Sequence, residues 1–151
     1  MINCLIIDDE PLGLEILENY ISKIPFLKLV GKFNEPLLAL SYLNEHAVDL
    51  LFLDIQMPDI SGTDFYKAII KKPEVIFTTA HTEYALQGFE LNAMDYILKP
   101  ISFERFVTTV NRSREYIEYK KNRSANDKEY FFINASHKIH KIFYKDIMYL
   151  E

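Results

Sequence analysis

Five polar residues in this chain stand at the ends of short apolar runs: Asp8 and Asp9 after Cys4–Ile7, Asp54 after Leu50–Leu53, Thr79 after Val75–Phe77, and Lys99 after Tyr96–Leu98. Three carboxylates gathered within a few ångströms repel one another and raise each other's pKa. A divalent cation and a nearby ammonium are what would keep them ionised. Mg²⁺ suits carboxylate and carbonyl oxygens with retained waters; Lys99 can supply the ammonium, and Thr79 a hydroxyl donor. Any one aspartate after a strand is an ordinary helix N-cap. The whole set at matching strand ends is what points to chemistry.

The elements that must position this set are legible from periodicity. Cys4–Ile7 predicts a buried strand, and Leu14, Leu17, Ile21 and Ile24 then follow helical spacing, with Pro11 in the first turn. Leu27–Phe33 predicts a second strand, and Leu37, Leu38, Leu40 and Leu43 a second helix ending near His46. Leu50–Leu53 is apolar at consecutive positions, as a strand covered on both faces should be. A loop with Pro58, Asp59, Ser61 and Gly62 leads to a third helix carried by Phe65, Ile69 and Ile70. Val75–Phe77 and Tyr96–Leu98 predict the fourth and fifth strands. A short fourth helix is expected over 84–92, and a long fifth one through Phe103, Phe106, Val107, Val110 and Ile117 to about Lys121.

Fivefold strand–helix alternation predicts an α/β fold: a doubly wound, five-stranded parallel sheet flanked by five helices. Right-handed crossovers leave few topologies. In the common strand order 2-1-3-4-5, strands one and three are neighbours where the order reverses, and ligands bind outside the carboxyl ends at that point. Asp8, Asp9 and Asp54 should therefore share one pocket.

Composition agrees with a packed domain: 49% hydrophobic and 26% charged residues over 151 positions. The first hundred residues carry 7 Lys/Arg against 15 Asp/Glu, whereas the rest carry 10 against 7. An acidic body before a basic C-terminal third suggests two tasks. The single cysteine, Cys4, excludes a disulfide framework and reads as a buried hydrophobe. No apolar stretch approaches the ~20 residues of a membrane span, and no secretory leader pattern opens the chain. A cytoplasmic, soluble protein is expected.

With these residues in view, the sequence resembles the receiver domains of two-component response regulators, the CheY-like superfamily. The matching segments are Ile7-Asp8-Asp9-Glu10, Leu51 to Pro58 with Ser61-Gly62, Phe77-Thr78-Thr79-Ala80, and Tyr96-Ile97-Leu98-Lys99-Pro100. They lie in order within residues 2–121. The resemblance implies that Asp54 accepts a phosphoryl group from a sensor histidine kinase. It implies that Asp9, Asp54 and the backbone carbonyl of Gln56 ligate Mg²⁺ directly, that Asp8 holds a metal-bound water, and that Lys99 pairs with a phosphoryl oxygen. It further implies that Thr79 and Tyr96 form a switch, that the Lys99–Pro100 bond is cis, and that two copies pair through the fourth helix, fifth strand and fifth helix.

Beyond Lys121 the character changes. Residues 122–129 read as a linker after a receiver at 1–121, and Tyr130–Ile133, Ile139–Phe143 and Ile147–Leu150 as short β segments. Phe131-Phe132-Ile133 and the run from Ile142 to Glu151 resemble the opening of a LytTR-type DNA-binding domain. The tail at 130–151 is thus expected to be the start of an incomplete second domain, with DNA a partner only of a longer protein. Lys120, Lys121 and Arg123 read as a solvated helix end, and His137 and His140 as hairpin surface rather than a metal site. His81 stands where the family varies phosphoryl lifetime. Two other readings stand beside this one: a receiver that works alone by docking a partner, and an aspartate-nucleophile phosphatase of the haloacid dehalogenase type. The latter places its nucleophile after the first strand with a second Asp two residues on, whereas here Asp54 follows the third strand and position 56 is Gln.

Overall fold

A computed structural model describes residues 1–83, 91–123, 130–135 and 138–143. In chain order the elements are β1 (Ile2–Ile7), α1 (Pro11–Ser22), β2 (Leu27–Phe33), α2 (Pro36–Glu45), β3 (Leu50–Asp54), α3 (Gly62–Ala68), β4 (Glu74–Thr79), β5 (Asp95–Leu98), α4 (Phe103–Lys121), β6 (Tyr130–Ala135) and β7 (Lys138–Phe143). The first five strands form one parallel sheet in the order β2-β1-β3-β4-β5. This is the predicted doubly wound topology. The helix expected over 84–92 lies largely outside the described residues.

Alternate residues of the central strands feed two separate cores. Cys4, Ile6, Leu50, Phe52, Ile76 and Ile97 pack with Leu17 and Ile21 of α1 and Phe106, Val110 and Ile117 of α4. Leu5, Ile7, Leu51, Leu53, Val75 and Phe77 pack on the other face with Ala39 and Leu43 of α2 and Phe65 and Tyr66 of α3. Helices thus cover both faces, which is why the strands are apolar at both parities.

Two details depart from the sequence reading. Helix α3 stops at Ala68, and Ile69 adopts extended dihedrals (φ −72°, ψ 131°). Ile69 is buried in the core, and Ile70, beyond the end of the helix, is 85% exposed. In α2, Leu37 and Leu38 are helical yet 77% and 57% exposed; Ala39 and Leu43 form its buried side.

The segment after β3 returns against the strand end through Gly62. Its N–H donates to the Ile55 carbonyl at 2.7 Å, and Ser61 caps α3 by accepting from the Asp64 N–H. A Cβ at position 62 would lie 2.2 Å from the Asp54 carbonyl oxygen and 2.9 Å from Ile55 Cα. Backbone cannot swing aside as a side-chain tip can. Gly62→Ala is expected to cost about 1–3 kcal/mol in urea unfolding; an unchanged midpoint would contradict this packing.

The C-terminal β6 and β7 pair antiparallel as a hairpin, as the tail pattern predicts for its first two segments. Ile139 of β7 is buried within the same core as α1 and α4. The third predicted segment, Ile147–Leu150, lies outside the described residues. No described helix is long and apolar enough to cross a membrane.

Candidate functional site

The carboxyl ends of β1, β3 and β5 deliver the site. Asp8 follows β1 and is 1% exposed; Asp54 ends β3 and is 3% exposed. One oxygen from each of Asp8, Asp9, Glu10 and Asp54 lies within 4.8 Å of the others. The Lys99 ammonium reaches into this group, 2.9 Å from Asp8 Oδ2, 3.5 Å from Asp54 Oδ2 and 3.8 Å from Glu10 Oε1. Lys99 is itself anchored, since its N–H donates to the Thr79 carbonyl at 2.7 Å. The Lys99–Pro100 bond is cis.

Two local turns orient the acids. The Glu10 N–H donates to Asp8 Oδ1 at 2.9 Å, and the Gln56 N–H to Asp54 Oδ1 at 3.3 Å. Each is an aspartate side chain bonding to main chain two residues on. Asp9 Oδ1 is buried and has no hydrogen-bond partner among the described residues. Beside it opens a cleft of about 410 Å³ lined by Asp9, Gln56, Met57, Pro58 and Ser61.

The electrostatics follow from crowding. Burial, and then the charge of Asp8, push the Asp54 carboxyl up to about 7, while Lys99 pulls the other way. For Lys99, burial works to lower the ammonium's pKa. The hydrogen bond to Asp8 and the charges of Asp54, Asp8 and Glu10 outweigh it, and the pKa rises. Crowded acids with a stranded buried acceptor are what a hard divalent cation would relieve. The donor set, all oxygen, fits magnesium.

Thr79 ends β4 and is 3% exposed. Its hydroxyl accepts from the His81 N–H at 3.0 Å and donates to the His81 carbonyl at 3.4 Å. Tyr96 stacks on Phe77, with ring centroids 5.2 Å apart. Its buried hydroxyl has no partner among the described residues, and burial raises its pKa. The structure therefore brings Asp8, Asp9, Asp54 and Lys99 into direct contact range. Thr79 reaches the site through its main-chain bond to Lys99.

Sequence reasoning passed over three features. Glu10 joins the acidic group, and its place directly after Asp8-Asp9 is the signal in the sequence. Tyr20 donates to the Ile101 carbonyl at 2.8 Å, tying α1 to the loop after Lys99. Asp95, fully buried at the start of β5, binds Arg105 and Thr109 of α4. A charged residue opening an apolar strand was the available signal for the last.

With the fold and the acidic pocket described, comparison with known proteins places the chain. Residues 4–111 match the family described as the response regulator receiver domain, and the chain belongs to that family. It is similar to an uncharacterized response regulatory protein of Vibrio cholerae, 40% identical over 114 residues covering 74% of this chain and 48% of the relative. It is also similar to the transcriptional regulatory protein BtsR of Escherichia coli, 38% identical over 117 residues, 76% of this chain and 49% of BtsR. The chain spans about half the length of these relatives. Among solved structures it resembles the response regulatory domain of mrkE from Klebsiella pneumoniae, with TM-score 0.71 and 32% identity over 78% of this chain and 98% of that one. The BeF3-activated DrrB receiver domain matches with TM-score 0.64 and 28% identity, over 76% and 98%.

Proposed function

We propose that this chain is the phosphoacceptor part of a transcriptional response regulator and that Asp54 carries the phosphoryl group. The observation that supports this best is the placement of Asp54: a buried strand-end carboxylate, facing Lys99 and flanked by Asp8 and Asp9. In the reaction, an Asp54 oxygen attacks the phosphorus of a phosphohistidine on a sensor histidine kinase. The P–O bond forms in line as the P–N bond breaks, and the imidazole leaves with the electron pair. Lys99 meets the charge on a phosphoryl oxygen. Asp9, Asp54 and the Gln56 carbonyl are the residues that would hold Mg²⁺, with Asp8 beside a bound water. When bound, the ion neutralises phosphoryl oxygens.

The product, an acyl phosphate, carries roughly −1.5 to −2 charge in place of the carboxylate's single charge, with strong acceptor oxygens at this pocket. Thr79 then exchanges its His81 contacts for a phosphoryl oxygen, and the Tyr96 ring takes the vacated space. The surface around β5 and α4 changes shape and pairs with a second copy. The receiver occupies 1–121, a linker 122–129, and 130–151 begins a LytTR-type DNA-binding domain. The antiparallel pairing of β6 and β7 and the naming of BtsR as a transcriptional regulatory protein support that output.

Incubation with phosphoramidate and Mg²⁺, followed by mass spectrometry of peptides, tests the assignment. One phosphoryl group on the Asp54 peptide is expected, and none in EDTA; modification elsewhere would refute it. Calorimetric titration should show Mg²⁺ binding weakened by about tenfold or more in Asp9→Ala, since second-layer changes alone reach that range. Equal affinity would remove Asp9 from the ligand set.

A further inference from the structure

The switch strand β5 lies at the edge of the sheet, with β4 as its neighbour. An edge strand lacks a second ladder to hold its main chain. At Tyr96 the main chain is nevertheless held on both polar groups by side chains. Its N–H donates to Asp95 Oδ1 at 2.8 Å, and its carbonyl accepts from Arg105 Nη2 at 3.1 Å. The same guanidinium grips Asp95 with both arms, Nη1 to Oδ2 at 2.7 Å and Nη2 to Oδ1 at 3.0 Å. Thr109, one turn on in α4, donates to Asp95 Oδ2 at 2.8 Å and also meets Arg105 Nη1. Arg112 Nη1 adds a second cation 3.6 Å from the carboxylate. Asp95 and Thr109 are 0% and 1% exposed, so the carboxylate is buried, while the Arg105 side chain that closes over it is 34% exposed.

We infer that Arg105 is a positioning residue for the switch: through Asp95 and the Tyr96 carbonyl it pins the main chain of Tyr96 to α4, so that the ring turns about a fixed pivot. The inference rests on the reading of Tyr96 as the switch aromatic. Bidentate guanidinium–carboxylate pairing is geometrically specific as well as strong. Its geometry here is further set by Ser102, which caps α4 by accepting the Arg105 N–H at 3.1 Å. Pinned strand and helix form one body, so a rotation of the Tyr96 ring is felt on the α4 surface rather than absorbed by slack in the strand. Lys99, three residues beyond Tyr96 on the same segment, keeps its place when the ring moves.

The test compares wild type with Arg105→Gln, Arg105→Lys and Thr109→Val in the full 151-residue chain. Amide hydrogen exchange and the ring resonances of Tyr96 are followed with and without beryllofluoride and Mg²⁺. In Arg105→Gln the Tyr96 amide should exchange about tenfold faster while β1 and β3 amides stay within about twofold. Its Tyr96 ring should sample both positions before beryllofluoride is added. Arg105→Lys should recover part of the protection, and Thr109→Val, which keeps the guanidinium, should show the same change more weakly. A uniform rise of exchange across the sheet, or a Tyr96 ring response equal to wild type, would overturn the inference. Should Arg105→Gln fail to fold, Thr109→Val decides by the same two readouts. A wild-type Tyr96 ring that ignores beryllofluoride would instead sink the switch reading beneath it.

Discussion

Asp54→Asn is expected to make the metal-free protein more stable near pH 8, by about 1–3 kcal/mol, while abolishing phosphoryl uptake. The stability gain follows from the direction of the Asp54 pKa. Its carboxyl titrates at the ordinary 3.8 in the unfolded chain and at about 7 in the fold. The folded state therefore prefers the protonated acid, and ionisation weighs against folding as pH rises from about 4 to about 7. Below that window Asp54 is neutral in both states, so variant and wild type should converge. Above it the difference should be flat. The gain is smaller than the full pKa difference implies, because an amide at position 54 keeps polar atoms in a buried place. Urea unfolding in EDTA near both ends of the window measures it. A variant less stable than wild type at the alkaline end would mean that Asp54 is not strained by burial and by Asp8.

Lys99→Met should act with the opposite sign. The ammonium is the partner of Asp8, which is 1% exposed, and it also faces Asp54 and Glu10. Removing one member of a buried pair leaves the other uncompensated, at a cost of about 3–5 kcal/mol when nothing adjusts. Here protonation of Asp54 can soften the loss, so about 2–4 kcal/mol is expected near neutral pH. The Lys99 pKa is raised in the fold, so its contribution is present throughout the neutral range and is lost only in alkali. Placing Lys99→Met on an Asp54→Asn background should cost less than on wild type, because one of the acids it neutralises is already gone. Strict additivity would show that the two groups do not feel each other. Phosphorylation by phosphoramidate should fall about a hundredfold in Lys99→Met, as for loss of a donor aimed at developing charge.

Most of the fold was legible because its signals are local. Leu50–Leu53 and Val75–Phe77 are apolar at both parities, which only a doubly covered sheet explains. Asp8, Asp54 and Lys99 were legible as a set because parallel strands place all carboxyl ends on one side. What escaped depended on tertiary partners. Ile69 and Ile70 fit helical spacing, yet the chain leaves α3 at Ala68 to bury the first and expose the second. Leu37 and Leu38 look like core residues, and nothing in their own segment says they face outward. The pairing of Asp95 with Arg105 spans β5 and α4, so neither residue announces the other in sequence.

The double apolarity of β3 has a further consequence for how the strand finds its alignment. Sliding it by one residue would swap two equally greasy faces, so side-chain pattern alone does not select the native pairing. Selection falls to the polar bookends. At one end Asp49 exchanges bonds with Asn3, its side chain accepting from the Asn3 N–H at 2.8 Å and its own N–H donating to the Asn3 carbonyl at 2.9 Å. At the other end Asp54 must emerge where Lys99 waits. A slipped strand would drag one aspartate into hydrocarbon and strand the other, so Asp54, besides facing Lys99, serves as the alignment mark by which the sheet assembles.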